Sequence, residues 1–450
     1  MISKRASHIL MLQTMAILLG IVSLFVIRND KMHMIYIMFV SIVLAITVFS
    51  RQTALIRPIS YLILSFFVFV WMRYLLNIFF DVPVISIGGG IITENINFVA
   101  IYLGISINII LIFAIVTKEN LKVNKIALFE SEHRILVPKI IQWVLLLGAL
   151  IFFSIFLLDS VKKISIVNSS NYLAISETIL IQGYKYFSLG KYLILLWAIF
   201  GTQKDRYFIA STIMMLASAG YLMRGARGYA IMYIFLWLLF LSFKKRIHFI
   251  PLVFMGIALV FLANFILSYR LGWSVASGFK NVIISTLNSQ GSSIESVFGS
   301  VIFHDEIKMQ FRLGELFTRN DYGIVVDKVR NTGFEMGGFG SSFFGEIYLG
   351  GPLFIFLFLI IVGICVGILE QAYDCIIASK SKCDYSRMLL FMTIPNLIYL
   401  GRSSIKDFIF KTIITVIIIV VIQSISTYRF YGKHRESCND RQLCNTNFKL

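Results

Sequence analysis

Apolar stretches of about 20 residues, each long enough to cross a bilayer, recur along the whole chain. Inside lipid, every backbone N–H and C=O must find a partner within the protein, so only helices and closed barrels can span. Barrel strands read as short alternating segments, whereas these runs are continuous, which predicts helices. Composition agrees. The chain is 58% hydrophobic and 14% charged, against about 25% charged in soluble domains. Mean hydropathy is +0.84. A soluble enzyme with one or two anchors is excluded, and an all-α, polytopic integral membrane protein is expected.

Twelve spans are predicted, at about 9–27, 32–49, 58–79, 96–116, 139–158, 189–201, 207–223, 229–243, 249–268, 342–368, 388–400 and 408–428. The sixth and eleventh are short. The start, MISKRASHILMLQTMAILLGIVSLFVI, has a basic head and a long apolar run without a clear cleavage site, so it reads as a retained first helix. With the N-terminus inside, 22 of the 41 Lys and Arg fall on inner segments. Short linkers carry the orientation signal. FKKRIH (243–248) and KENLKVNK (118–125) are basic, and residues 80–95 hold no Lys or Arg. Both termini are therefore expected inside. The organisation is one membrane domain over 1–450, with a large outer loop at 269–341 and a basic inner tail at 429–450.

The net charge of +18 fits inner loops that meet anionic lipid heads, and excludes nucleic acid as the partner. Cys365, Cys375, Cys383, Cys438 and Cys444 all fall on or nearest the inner side, where thiols stay reduced, and no disulfide framework or zinc spacing is expected. The loop 269–341 is balanced, with seven basic and seven acidic residues. A second outer loop, 159–188, has room for a helix resting on the membrane surface.

Two short outer connections break the charge rule that orients the rest. YLMRGARGYAIMY (221–233) carries Arg224 and Arg227, and GRSSIKD (401–407) carries Arg402 and Lys406. Charges at the membrane rim are costly and mark functional sites. Arginine offers a planar fork of donors that matches phosphate oxygens and cannot lose its charge. Gly225 and Gly228 allow close backbone approach. Arg224, Arg227 and Arg402 suit a phosphate or pyrophosphate; the alternative is pairing with lipid heads or with acids of the long loop. FEMGGFGSSFFGEIYLGG (334–351) sets Glu335 and Glu346 among six glycines, as a site or as a close-packed helix start. In FHDEIKMQFRLGE (303–315), His304, Asp305 and Glu306 form the one His–acid cluster of the outer loop, a candidate base or simply a solvated polar run.

About twelve spans, an RG motif after a mid-chain span, one large outer loop in the second half and the Gly-rich GGFGSSFFGEIYLGG together resemble the O-antigen polymerase (Wzy) family of bacterial polysaccharide assembly. The resemblance covers the layout of the whole chain, with specific similarity at 221–233 and 334–351. It implies a GT-C-like glycosyltransferase of the inner membrane, working on the periplasmic face without metal or nucleotide sugar. Such an enzyme moves a growing glycan from undecaprenyl pyrophosphate to the terminal sugar of a new lipid-linked repeat unit. Arg224 and Arg227 match the family's external arginines and would hold pyrophosphate; Arg402 and Arg312 join them on topology. His304, Glu346 and Asp305, in that order, are candidate bases. No cofactor is implied, and no nucleotide-binding glycine motif is present. The implied partners are the lipid-linked oligosaccharide, membrane lipid, and a chain-length regulator and a flippase of the same pathway.

Four rival readings remain. A flippase would show similar halves and short outer loops. An O-antigen ligase would share the arginines and the large loop. An enzyme using a polyprenyl monophosphate sugar would carry acids in its first outer loop, where RNDK (28–31) has one. A purely structural membrane protein would need no rim arginines.

Overall fold

The computed structural model describes residues 4–25, 30–49, 56–84, 90–123, 138–162, 172–200, 205–224, 227–245, 247, parts of 256–265, 278–290, 293–305, 342–378, 384–402 and 408–421. Every regular element among them is helical. Among the described residues six helical segments are long and apolar enough to cross a membrane: Lys4–Phe25, Lys31–Phe49, Pro58–Phe80, Asn95–Leu121, Lys139–Lys162 and Pro352–Ala378.

In chain order the helices are α1 (Lys4–Phe25), α2 (Asp30–Phe49), α3 (Pro58–Phe66), α4 (Met72–Phe80), α5 (Gly90–Val123), α6 (Lys139–Lys162), α7 (Tyr172–Phe200), α8 (Arg206–Ala217), α9 (Ala219–Met223) and α10 (Arg227–Ser242). They continue with α11 (Phe279–Gln290), α12 (Ser293–Ile302), α13 (Phe343–Leu349), α14 (Pro352–Ala378) and α15 (Asp384–Ile398), then a 3-10 turn at Leu400–Arg402 and α16 (Phe408–Val421). A π-helical turn, Phe67–Trp71, joins α3 to α4 within one span.

The molecule is apolar outside as well as inside. Trp143, Val144, Leu147, Ile151 and Leu158 of α6 are exposed, as are Met11, Leu18 and Val22 of α1 and Ile413, Ile414 and Ile417 of α16. Gln13, Asn108, Arg206 and Glu370 are buried. Outward-facing aliphatics with polar groups turned inward suit lipid as the surrounding solvent.

Lipid supplies no hydrophobic drive between helices, so close approach through small residues matters. Gly363 and Gly367, one turn apart on α14, lie against α5. A Cβ added to Gly363 would sit 2.7 Å from the Ile110 carbonyl oxygen, and one on Gly367 2.6 Å from that of Ala114. α14 also packs on α15, α15 on α3 and α10, and α10 on α8, while α6 pairs with α7.

Several expected boundaries move. The span at 342–368 divides: α13 ends at Gly350, Gly351 turns the chain at φ +83°, and Pro352 opens α14 with its φ already suited to a helix start. The short sixth span is the C-terminal part of α7, which begins at Tyr172 and takes in much of the loop 159–188. The seventh is broken at Ser218 into α8 and α9. Most of the span at 249–268, the inner tail 429–450 and Cys383, Cys438 and Cys444 lie outside the described residues. Among the described residues Cys365 and Cys375 form no disulfide.

The end of the bundle where α14 finishes carries a buried ionic clasp. The Arg57 guanidinium bonds Glu370 at 3.0 Å and Asp374, Lys118 bonds Asp374 at 2.6 Å, and the Ile59 N–H donates to Glu370 at 2.9 Å. Burial works against the Arg57 charge, but the two carboxylates outweigh it and hold its pKa above the ordinary value. Among the described residues the clasp joins two cations to two anions, and three helical segments are pinned together.

Candidate active site at the opposite end of the bundle

Arg224 sits at the C-terminal end of α9 and is 1% exposed. Its Nε donates to Ser160 Oγ at 2.7 Å, its Nη2 to Asp159 Oδ2 at 2.5 Å, and the guanidinium lies 4.9 Å from the Phe156 ring centre. All three partners belong to the last two turns of α6. A carboxylate near a helix C-terminus is disfavoured by the helix dipole, and a cation beside it compensates. Arg224 thus pairs with an acid, as the bland alternative expected, but the acid comes from a span end rather than the long loop. Arg227 opens α10.

The two rule-breaking connections meet through aromatic rings. Tyr221 stacks toward Tyr229 at 5.4 Å, Tyr229 toward Tyr399 at 5.6 Å, and Tyr399 contacts Phe69 of the π turn edge-on at 5.4 Å. A Cβ at Gly228 would fall 2.8 Å from the Tyr399 ring, so any side chain at the start of α10 would have to displace that ring. Beyond Tyr399, the Gly401 N–H donates to Ser65 Oγ at 2.9 Å, and Arg402 Nη1 donates to Gln290 Oε1 at 3.3 Å. Among the described residues Arg402 has no carboxylate partner.

The proposed bases lie just after α12, at His304 and Asp305, and in α13, at Glu346; the two helices pack together. His304 Nδ1 lies 3.1 Å from Asp305 Oδ1, and its ring meets Tyr348 edge-on at 5.4 Å. Asp305 is fully solvated, and Glu346 is buried in the first turn of α13. Burial, with Asp305 adding to it, pushes the Tyr348 hydroxyl pKa up. Tyr102 donates to the Phe344 carbonyl at 2.7 Å and fixes α13 against α5. α13 also touches the 3-10 turn that bears Arg402, which is the link between the two clusters. Arg312 and Glu335 lie outside the described residues.

Sequence reasoning passed over Arg73. It is a lone charge in the third span, and that isolation was the available signal. Its Nε donates to the Asn288 carbonyl at 2.7 Å, Nη1 to the Val84 carbonyl at 3.1 Å and Nη2 to Glu295 Oε1 at 3.3 Å. Arg73 therefore ties the end of α11 and the first turn of α12 to the third span, two residues from the Gln290 that meets Arg402.

Fold and site together define a polytopic helical membrane protein in which Arg224 is buried and Arg402 half-buried, and in which His304 pairs with Asp305 next to the helix that touches the Arg402 turn. A family model described as O-antigen polysaccharide polymerase Wzy matches residues 9–326. An O-antigen polymerase of Escherichia coli is 30% identical over 407 residues, covering 86% of this chain and 87% of its own length. No solved structure matches significantly. The chain belongs to the O-antigen polysaccharide polymerase (Wzy) family, whose role is repeat-unit polymerisation. The matched stretch contains the RG motif and His304 and ends before the Gly-rich motif, Glu346 and Arg402.

Proposed function

We propose that this protein joins lipid-linked oligosaccharide repeat units on the periplasmic face of the inner membrane, with both termini cytoplasmic. The growing glycan is the donor, held on undecaprenyl pyrophosphate. The terminal sugar hydroxyl of a new unit attacks the donor's anomeric carbon, the carbon–oxygen bond to pyrophosphate breaks, and the hydroxyl proton passes to a base. The leaving pyrophosphate gains negative charge, which preorganised guanidinium groups stabilise. No metal is required in this scheme, which is that of a GT-C-type transferase.

The observation that carries the reading is Arg402, a half-buried cation held by a neutral amide and joined through Tyr399 and Tyr229 to the RG motif. Arg402 takes the pyrophosphate directly, with Arg227 and Arg312 completing the clamp. Arg224 joins it by exchanging Asp159 for a phosphate oxygen. His304, oriented by Asp305 and Tyr348, is the first choice of base, followed by Glu346 and Asp305. The test is deletion of the gene followed by a lipopolysaccharide gel. Core bearing one repeat unit without a ladder is expected; bare core indicates a flippase or ligase, and an unchanged ladder overturns the O-antigen reading.

A further inference from the structure

Near the Arg402 turn, four buried side-chain atoms have no hydrogen-bond partner among the described residues: Asn288 Oδ1, Gln290 Nε2, Ser293 Oγ and Ser342 Oγ. Gln290 is 5% exposed, and Ser293 and Ser342 are fully buried. An unpaired buried polar atom is costly, and native structures pair most of them, so a group of them needs a reason.

Three of the four fall where α11 ends and α12 begins. Arg73 holds that junction from one side, through the Asn288 carbonyl at 2.7 Å and Glu295 Oε1 at 3.3 Å. Arg402 holds it from another, donating from Nη1 to Gln290 Oε1 at 3.3 Å. That bond fixes which end of the carboxamide is which: the oxygen takes Arg402, and the Nε2 donor is left over beside the guanidinium. The fourth atom belongs to Ser342, the N-cap of α13, which packs on α12 and touches the Arg402 turn. A serine N-cap ordinarily accepts from a backbone N–H of the first turn, but the Ser342 side chain makes no such bond.

The chemistry of the set selects the ligand. A phosphate oxygen of the pyrophosphate only accepts, whereas these atoms comprise an amide donor, a carbonyl acceptor and two hydroxyls that do both. Glu295 also stands in the first turn of α12, where a second anion would meet its charge. Sugar hydroxyls are neutral and both donate and accept.

We propose that Asn288, Gln290, Ser293 and Ser342 form a sugar subsite beside Arg402 that hydrogen-bonds the hydroxyls of the sugar attached to pyrophosphate. The inference rests on the reading of Arg402 as a pyrophosphate ligand, since the sugar bonded to that group must lie next to it.

The test uses the full chain purified in detergent and lipid-linked repeat units extracted from cells lacking the gene. Chain lengthening is measured against the concentration of these units, and melting temperature is followed in parallel. Ser293→Ala removes a hydroxyl that has no protein partner to lose, so the melting temperature should hold or rise, while KM rises by about tenfold for the lost bond to substrate. Ser342→Ala should behave alike, and carries the test if Ser293→Ala fails to fold. Ser296→Ala is the contrast: its hydroxyl donates to the Ser293 carbonyl at 2.6 Å, so its loss should lower the melting temperature and leave KM at the native value. Native KM in Ser293→Ala and Ser342→Ala, or an equal rise in Ser296→Ala, overturns the subsite and leaves the polymerase reading intact. A native chain that does not lengthen the extracted units overturns that reading, and the subsite falls with it.

Discussion

At the scale of single residues, the sharpest question is whether Arg224 serves the reaction or only neutralises Asp159. Removing one partner of a buried ion pair typically costs about 3–5 kcal/mol, much of it from the charge left behind. Arg224→Ala alone therefore loses polymer on either view. Adding Asp159→Ala separates them. If Arg224 only balances Asp159, the double variant recovers its folded amount and its ladder; if it binds pyrophosphate, the folded amount recovers and the ladder stays absent. Lysine at 224 should also impair polymerisation, because an ammonium cannot bond Ser160 and a second acceptor with one planar fork. Arg402→Ala has no carboxylate to strand among the described residues, so it should abolish the ladder with little loss of membrane-inserted protein. A normal ladder from Arg402→Ala would remove it from the clamp. These arginines were legible in sequence because they violate a local charge rule. Their partners were not, since Asp159 lies 65 positions and Gln290 112 positions away along the chain.

Elements show where local patterns suffice and where they fail. Run length and hydropathy gave most helices, since both are properties of a window. They could not divide the 342–368 run, because GEIYLGGPLFIF is apolar on both sides of the Gly351 turn. They also missed the glycine pair on α14, whose meaning lies in α5. Replacing Gly367 with Val should separate the two helices, at about 1–3 kcal/mol or more for overpacking, seen as a fall in monodisperse protein on size exclusion. The contact of Arg73 with Glu295 on α12 offers a pH test. Burial raises the Glu295 pKa above the ordinary carboxylate value, with Arg73 working against the rise. The folded state thus holds this proton more tightly than the unfolded chain does. The associated stability is complete below the unfolded pKa of about 4.3 and is lost as pH rises through the folded value. Melting temperatures should fall over that interval in the native chain. Glu295→Gln should flatten this component, and an identical pH profile in that variant would remove Glu295 from the titration.

The whole molecule is polar at its two ends in different ways. One end carries the ionic clasp, with Lys244 paired to Asp205 and Arg387 to Asp384; the other gathers Arg224, Arg402, Arg73 and the His304–Asp305 pair with aromatic rings among them. Sequence placed the first end inside through the basic linkers KENLKVNK and FKKRIH, and the structure puts Lys118 and Lys244 there together with Arg57 and Arg387. Basic residues that accumulate on one side of short loops orient a chain with that side in the cytoplasm. On that rule the arginine end is expected to face the periplasm, which is the placement the proposed scheme needs. A cysteine at position 305, on a side chain 99% exposed, reports this directly in a chain whose native cysteines are replaced. It should react with a membrane-impermeant thiol reagent in cells whose outer membrane alone is permeabilised, and a cysteine at 245, exposed beside the clasp, should react only after lysis. The reverse pattern would put His304, Tyr348 and the arginines in the cytoplasm and rule out a periplasmic polymerisation site, whatever the family.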